Sequence, residues 1–406
     1  MIQPATQRKR YAPSLALSCL LLLGGCSWFS DEEETRVPVE LVKFKPEVTL
    51  ASRWSVSLGR GAEDSAVKLV PGLVGGRIFG ASADGHVVAV DTGTGKVVWK
   101  RSVVDFYGEE ERAIAFAEGI DAITGGVGVG DALVVVGSAA GEIVAMNQSD
   151  GSLAWRAATT SEVLSPPQVL NGRVFAQSID GKLAAFDAGS GERKWLYSTS
   201  IPSLTLRGTS TPIADKDFVI AGFANGRVAM LDQVRGMVGF EQRVGIGQGQ
   251  SDLERLIDID GQVVMDGPLV YAVSYQGNLV AVDVTARGQV RWSRKASSVV
   301  GLGIGFGNIY LAEEDSRLTA ISTETTDDVW STEALLYRDI TTPVAVSSFV
   351  AVGDFEGYLH LIAQSDGRFV GRKQLDNAGL NAPIVVDGNR IYVITNSGRL
   401  VALEVR

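Results

Sequence analysis

Short apolar runs separated by turn sequences fill most of the chain. Residues 133–136 and 279–282 are runs of four apolar residues, and pairs such as Asp84-Gly85 stand between neighbouring runs. Unbroken apolar runs are typical of strands buried on both faces, and Asp-Gly pairs favour tight hairpins because those turns need positive φ. Only residues 109–120 suggest a helix of any length. The pattern therefore predicts an all-β protein.

This strand-and-turn unit recurs eight times, with a mean spacing of about 45 residues. One small residue marks the same turn in every copy: Gly85, Gly141, Gly181, Gly226, Gly277, Ser316, Gly357 and Gly398. Most copies have an aromatic residue fourteen or fifteen residues after this anchor: Trp99, Trp155, Trp195, Phe240, Trp292 and Trp330. The period is that of a four-stranded propeller blade. The sequence therefore predicts an eight-bladed β-propeller.

The last copy lacks its outer strand. Its anchor is Gly398, so its aromatic residue is due near position 412, whereas the sequence ends at Arg406. Residues 51–58, around Trp54, resemble the outer strands of the other copies. We therefore expect the N-terminal strand to complete the last blade and close the ring, which leaves only short, protected edges. The predicted propeller spans residues 48–406.

The first 25 residues have the features of a bacterial lipoprotein signal peptide. A basic stretch, residues 8–10, precedes a short apolar stretch, residues 15–23. The stretch ends in Leu23-Gly24-Gly25-Cys26, which resembles the lipobox. The resemblance implies cleavage before Cys26 and lipidation of that cysteine, and Ser27 after it favours the outer membrane over the inner one. The alternative is an ordinary secretory signal with a chance cysteine.

Residues 26–47 are rich in acidic residues and contain two prolines, which predicts a flexible tether. The formal net charge is −10, and loss of Arg8, Lys9 and Arg10 with the signal makes it −13. Such a charge argues against nucleic acid as a partner.

Few residues in the chain are suited to catalysis or metal binding. Cys19 leaves with the signal and Cys26 carries lipid, so no thiol remains for a disulfide, a metal or a nucleophile. His86 and His360 occupy ordinary repeat positions without metal-site spacing. The aspartates before the second turn recur once per blade, which favours turn capping over calcium binding. We expect no metal and no cofactor.

The repeat resembles the PQQ-type propeller repeat, whose consensus is close to Ala-x-Asp-x-x-Thr-Gly-x-x-x-Trp. Residues 89–99 fit it throughout, and residues 185–195 fit it with Ser190 in place of the threonine. Quinoprotein dehydrogenases with this repeat are much longer and carry a pair of adjacent cysteines against the cofactor. This chain has no such pair. The resemblance therefore implies the fold and not the quinone chemistry.

The whole mature chain resembles more closely the BamB family of outer-membrane β-barrel assembly lipoproteins. Residues 202–208, Pro-Ser-Leu-Thr-Leu-Arg-Gly, are similar to the family's interaction loop, and residues 253–260, Leu-Glu-Arg-Leu-Ile-Asp-Ile-Asp, to its acidic partner loop. The partner-binding residues that this resemblance implies are Leu204, Leu206, Arg207, Asp258 and Asp260.

The resemblance also implies a role and a location. The protein would be a non-enzymatic scaffold, lipid-anchored to the outer membrane on its periplasmic face. It would bind the periplasmic domains of BamA and assist the insertion of β-barrel proteins, with unfolded outer-membrane proteins as a further candidate partner.

Alternatives from other classes remain open on the sequence. One is an enzyme, either a small PQQ-dependent quinoprotein or a polysaccharide-binding hydrolase, and another is a periplasmic sensor lipoprotein with a ligand in the central channel. A structural alternative also exists for the two loops, in which both leucines are buried and the aspartates only cap turns. Residues 105–126 depart from the repeat, and the sequence shows no role for them.

Overall fold

A computed structural model describes residues 36–62, 67–119, 121–248 and 250–406. Within them, thirty-two strands form eight antiparallel four-stranded sheets. Neighbouring sheets contact each other through their innermost strands, and the sheets form the ring of an eight-bladed β-propeller. The predicted fold class is confirmed.

Each blade lies in one stretch of chain, except the last. The first strand of the chain, β1 (Leu50–Ser57), belongs to blade 8. Blade 1 contains β2 (Gly72–Val74), β3 (Arg77–Ala81), β4 (His86–Asp91) and β5 (Val97–Ser102). A 3₁₀ turn (Val103–Phe106) and helix α1 (Glu109–Glu118) follow. Blade 2 contains β6 (Ile123–Gly130), β7 (Leu133–Ser138), β8 (Glu142–Asn147) and β9 (Leu153–Ala158). Blade 3 contains β10 (Gln168–Leu170), β11 (Arg173–Ser178), β12 (Lys182–Asp187) and β13 (Arg193–Ser198). Blade 4 contains β14 (Ile213–Ala214), β15 (Phe218–Phe223), β16 (Arg227–Asp232) and β17 (Val238–Arg243).

The second half of the ring repeats this order. Blade 5 contains β18 (Val264–Asp266), β19 (Leu269–Val273), β20 (Gly277–Asp283) and β21 (Gln289–Ala296). Blade 6 contains β22 (Leu302–Gly305), β23 (Asn308–Ala312), β24 (Leu318–Ser322) and β25 (Asp328–Thr332). Blade 7 contains β26 (Val344–Val346), β27 (Phe349–Gly353), β28 (Tyr358–Ala363) and β29 (Phe369–Gln374). Blade 8 contains β30 (Val385–Asp387), β31 (Arg390–Ile394), β32 (Arg399–Val405) and β1.

The strand order gives the ring two different faces. In every blade the strands run from inner to outer, and the outer strand connects to the inner strand of the next blade. These connections and the turns between second and third strands lie on one side, which we call the connection face. The other turns lie on the opposite face. Loops on the connection face can therefore act together although they are distant in sequence.

The repeated aromatic and glycine residues join neighbouring blades. The indole N–H of Trp99 donates to the carbonyl of Gln148 in the next blade at 3.0 Å. A Cβ added to Gly151, in the same turn, would lie 2.7 Å from that indole ring. Blades 2, 3 and 6 repeat this arrangement: Trp155 donates to Ala188, Trp195 to Gln233 and Trp330 to Gln364. The second turn glycine of the repeat is thus needed because the previous blade's tryptophan occupies the space of its side chain.

The N-terminal strand closes the ring by the same contact. Strand β1 pairs antiparallel with β32, from Leu50 opposite Val405 to Ser57 opposite Arg399. The indole of Trp54 donates to the carbonyl of Thr92 in blade 1 at 3.0 Å and stands where a side chain on Gly95 would be. The predicted closure is confirmed.

The aspartates before the second turns cap those turns. Oδ1 of Asp91 accepts from the backbone N–H of Thr94 at 2.7 Å, and Asp187, Asp232 and Asp283 accept from backbone N–H groups in the same way. In a tight turn these N–H groups have no backbone carbonyl to bond to, and the carboxylate serves as their acceptor instead.

The segment before β1 differs from its prediction as a free tether. The predicted signal peptide, Cys26 and the first part of the tether lie outside the described residues. From Pro38 onward the chain packs on the ring: the N–H of Val39 donates to the carbonyl of Leu336, and that of Glu47 to the carbonyl of Val370. The apolar residues of this segment pack on blade 7; the ring of Phe44, for example, contacts that of Phe369. None of the described helices is both long and apolar enough to span a membrane.

The closure contact gives a prediction for stability. Replacing Trp54 by alanine removes the contact that joins blade 8 to blade 1, and we expect a loss of about 3 kcal/mol in the free energy of unfolding, measured by urea titration. Ser55→Ala, an exposed change on the same strand, is the control and should lie within about 0.5 kcal/mol of the parent. Equal urea midpoints for the two variants would contradict the role given to Trp54.

Candidate functional site

Two long connections flank blade 4 on the connection face. The docking loop, residues 199–212, joins β13 to β14, and the acidic loop, residues 244–263, joins β17 to β18. A turn of blade 4 links them, because the amide of Asn225 donates to Thr199 Oγ1 at 2.8 Å and to the Ser200 carbonyl at 2.9 Å. Ile257 of the acidic loop packs against the neighbouring Gly226. The two predicted motifs therefore form one surface.

The docking loop presents an apolar side chain beside a cation. Leu204 is 41% exposed, and the side chain of Arg207 is 47% exposed. Leu206, two residues after Leu204, is half-buried. The guanidinium of Arg207 lies 2.7 Å from a carboxylate oxygen of Glu162, which stands in the connection from blade 2 to blade 3. A partner would thus meet Leu204 and an arginine that an ion pair already holds in place.

Asp258 and Asp260 lie beneath the docking loop. Asp258 is 1% exposed, and its Oδ2 accepts the backbone N–H of Leu206 at 3.1 Å. Asp260 packs under Gly208, where an added Cβ would lie 2.5 Å from the carboxyl carbon. Both aspartates therefore shape the docking loop from inside, and Gly208 is the residue that lets Asp260 approach.

The two carboxyl groups perturb each other. Burial first, and then the charge of Asp260, raises the pKa of Asp258 above its usual value. Burial also raises the pKa of Asp260, while the hydrogen bond to Asp258 and the charge of Lys68 act in the other direction. Two adjacent carboxylates in a buried site do not ionise together at low cost. The pair therefore keeps one proton, mainly on Asp258, to a higher pH than a free aspartate does.

Lys68 supplies a positive charge to this pair from another blade. Burial lowers the pKa of Lys68, and the charge of Asp260 opposes that effect. Lys68 precedes the anchor of blade 1 by seventeen residues, and Asp260 precedes the anchor of blade 5 by the same number. The two residues thus hold equivalent positions in blades on opposite sides of the ring.

The structure brings the five predicted partner-binding residues together, in two different situations. Leu204 and Arg207 are exposed, Leu206 and Asp260 are half-buried, and Asp258 is buried. Sequence reasoning missed Glu162 and Lys68. Their distances from the anchor glycines would have placed both on the connection face, although not in contact with a particular residue. Among the described residues, no group of three or more histidine, cysteine, aspartate or glutamate side chains could hold a metal ion.

Comparisons with known proteins agree on one family. A family model described as outer membrane protein assembly factor BamB matches residues 83–332. A Pseudomonas aeruginosa protein named outer membrane protein assembly factor BamB is 41% identical over 397 residues, 98% of this chain and 99% of that one. The crystal structure of BamB from Moraxella catarrhalis has a TM-score of 0.77 at 26% identity and covers 88% of this chain and 100% of that one.

A quinoprotein shares the fold alone. The quinohemoprotein alcohol dehydrogenase from Comamonas testosteroni has a TM-score of 0.69 at 15% identity, and the match covers 88% of this chain and 76% of that one. The likeness extends to the propeller architecture and carries no inference about chemistry.

The buried carboxyl pair gives a prediction about pH. The folded chain keeps a proton on Asp258 where an unfolded aspartate, with a pKa near 3.8, has lost it. The free energy of unfolding should therefore fall as pH rises from about 4 toward the raised pKa, by at most about 1.4 kcal/mol per pH unit for one group. Asp258→Asn keeps the shape without the ionisation, so its stability should fall less between pH 5 and pH 8.

Urea midpoints of the parent and of Asp258→Asn at both pH values measure this difference. Asp252→Asn, an exposed acidic residue of the same loop, is the control and should follow the parent. If the stability of Asp258→Asn changes with pH as much as that of the parent, the claim that folded Asp258 keeps a proton is wrong.

Proposed function

The chain belongs to the BamB family of outer membrane protein assembly factors, and on that premise we propose that it is a non-enzymatic scaffold for outer-membrane protein assembly. Its relatives are named as assembly factors and match it over nearly the whole chain. We propose further that it binds the periplasmic domains of BamA through the docking loop, on the periplasmic side of the outer membrane.

One observation supports this function best: an exposed leucine and arginine stand on a loop that buried groups hold in shape. Leu204 and Arg207 are the exposed part, and the buried carboxyl group of Asp258 accepts the backbone N–H of Leu206 and so fixes the loop there. A preorganised loop loses little conformational entropy when it binds, which favours affinity. Arginine is also enriched among the interface residues that contribute most to the binding free energy.

The chemistry of the loop describes the partner surface. Leu204 fits an apolar pocket, and Arg207 fits a carboxylate near that pocket. Because Glu162 already pairs with Arg207, a partner carboxylate would join or replace an existing ion pair rather than immobilise a free side chain. The aspartates act on the loop and need not touch the partner, so their loss should weaken binding by changing the shape of the loop.

The partner surface can be tested with a matched pair of double variants. Leu204→Ala with Arg207→Ala should reduce co-purification of BamA at least tenfold, because truncating central interface residues typically costs about 2 kcal/mol or more. The melting temperature should stay within about 2 °C of the parent, because both side chains are exposed. Leu196→Ala with Arg294→Ala is the control, since Leu196 is also 41% exposed and Arg294 is also in an ion pair.

The outcomes separate the two interpretations of the loop. Normal co-purification by the folded Leu204 and Arg207 variant would remove this surface from the proposal. A loss of binding that only follows a loss of stability would show that the side chains serve the fold. A control variant that binds as weakly would show that the effect is not specific to the loop.

Membrane attachment is the second part of the proposal. We infer that Cys26 is the N-terminus of the mature protein and carries its lipid, because residues 23–26 have the lipobox pattern. Two or more acyl chains give stable attachment, whereas one is marginal.

Replacing Cys26 by serine tests the anchor. We expect the variant to keep its signal peptide or to appear in the soluble periplasmic fraction, whereas the parent is found with the outer membrane. Intact-mass spectrometry of the parent should show a chain that begins at Cys26 and carries acyl groups. An unmodified cysteine in the mature parent would contradict lipidation at this residue.

A further inference from the structure

Blade 7 lacks the aromatic residue that the other blades have on their outer strands. Gly371 stands at that position, fourteen residues after Gly357. The space beside it is filled by Val48, from the segment before β1, whose side chain would be 3.1 Å from a Cβ added to Gly371. The N–H groups of Glu47 and Val48 both donate to the carbonyl of Val370, at 2.8 and 3.1 Å. The segment thus occupies the place where the repeat would have an aromatic side chain.

Two arginines bind the backbone of the same segment, Arg338 from the connection between blades 6 and 7 and Arg372 from the outer strand of blade 7. Arg338 donates from Nη1 to the carbonyl of Val39 at 3.0 Å, and Arg372 donates from Nη1 to the carbonyl of Val42 at 2.9 Å. The guanidinium of Arg372 also lies over the ring of Phe44, 5.0 Å from its centroid. Charged donors on backbone carbonyls recognise the path of the segment rather than its side chains.

A buried network holds both arginines in position. Nε of Arg338 donates to Oδ2 of Asp354 at 2.9 Å, and both side chains are almost fully buried. His360, also buried, lies 3.0 Å from the same carboxylate oxygen through Nε2, and its Nδ1 accepts from Nε of Arg372 at 3.0 Å. Burial lowers the pKa of His360, so the ring stays neutral and can accept from Arg372. We call Arg338, Asp354, His360 and Arg372 the clamp.

Docking of the segment determines on which face of the ring the chain leads away toward its N-terminus. Strand β1 begins at Leu50 beside Val405, at the opposite face, and runs toward the connection face. The segment before it lies back along the outer strand of blade 7, from Glu47 near Arg368 to Val39 near Leu336. Leu336 stands in the connection from blade 6 to blade 7. Pro38 is therefore at the connection face, whereas a free segment would leave from the opposite face at Leu50.

We propose that blade 7 is a docking site for the chain's own N-terminal segment and that the clamp makes the membrane tether leave from the connection face. This is the face that presents Leu204 and Arg207, so anchor and partner-binding surface lie on the same side of the ring. The part concerning the membrane rests on the proposed lipid at Cys26. Pro38 is twelve residue steps after Cys26, which span at most about 40 Å, so the connection face stays close to the membrane.

The first test measures docking and does not depend on lipid. Lys43 has an exposed side chain, but a protease needs several residues of unfolded backbone, so trypsin should cut slowly after Lys43 while the segment is docked. In Arg338→Ala with Arg372→Ala, cleavage after Lys43 should be at least tenfold faster in the full-length protein. Arg227→Ala with Arg294→Ala, two half-buried arginines in ion pairs far from the segment, is the control and should match the parent.

A second variant changes the segment and leaves the clamp intact. Phe44→Ala with Glu47→Ala removes the contact with Phe369 and the ion pair with Arg368, and it should also speed cleavage after Lys43. This variant decides the test if the double arginine variant fails to fold. Cleavage at the parent rate in folded protein would overturn the docking site.

The second test measures the face that is turned to the membrane. A donor dye is placed on the lipoprotein at Asn377→Cys, in the connection from blade 7 to blade 8, or at Ser365→Cys, in the opposite-face turn of blade 7; both residues are exposed. The acceptor is a dye-labelled lipid in liposomes of phosphatidylethanolamine and phosphatidylglycerol. Energy transfer should be greater from position 377 in the parent, and this difference should vanish or reverse in the Phe44 and Glu47 variant.

The two tests separate this inference from the proposed function. An equal difference in parent and variant would overturn the effect of docking on orientation. Protein that does not bind the liposomes at all would contradict the lipid anchor and with it the membrane part of this inference, while the trypsin result would still decide whether the segment docks.

Discussion

The ring depends most on one contact, found at five of its eight blade junctions, in which an outer-strand tryptophan enters the second turn of the next blade. Trp99 against Gly151 and Trp54 against Gly95 show its two requirements, a carbonyl that accepts the indole N–H and a glycine that leaves room for the ring. The contact fixes how each blade is rotated against its neighbour, so loops from distant parts of the chain lie at defined places on one face. The docking loop and the acidic loop owe their proximity to this arrangement. Where the contact is altered, as at Gly371, another part of the chain fills the space.

The repeat could be predicted from sequence because its requirements are local. A glycine with positive φ, a strand of defined length and a tryptophan at a fixed distance each leave a mark at a known position. The same marks predicted that β1 would close the ring. The partners of single side chains could not be predicted, because they come from other blades. Glu162 reaches Arg207 across one blade, and Lys68 affects Asp260 from the opposite side of the ring.

Burial in the loops and the path of the N-terminal segment also escaped prediction. Asp258 and Asp260 alternate with apolar residues, a pattern that gives no sign of which set faces inward, and here Asp258 is buried along with Ile257 and Ile259, while Asp260 is half-buried. The segment from Pro38 to Glu47 has the charge and prolines of a free tether, yet its few apolar residues suffice because blade 7 offers them a prepared site. The missing aromatic residue at Gly371 is the one signal in the sequence that could have indicated this site. An exception in a regular repeat thus pointed to a special role.

These features describe a scaffold in which rigid blades present one adapted face. The direct test of the central claim is photocrosslinking in cells from a benzophenone amino acid placed at Leu204, with Leu196, equally exposed on an outer strand, as the reference position. The account predicts a strong crosslink to the periplasmic part of BamA from position 204 and little or none from position 196. No crosslink from position 204, or equal crosslinks from both positions, would contradict the claim that the docking loop is the partner surface.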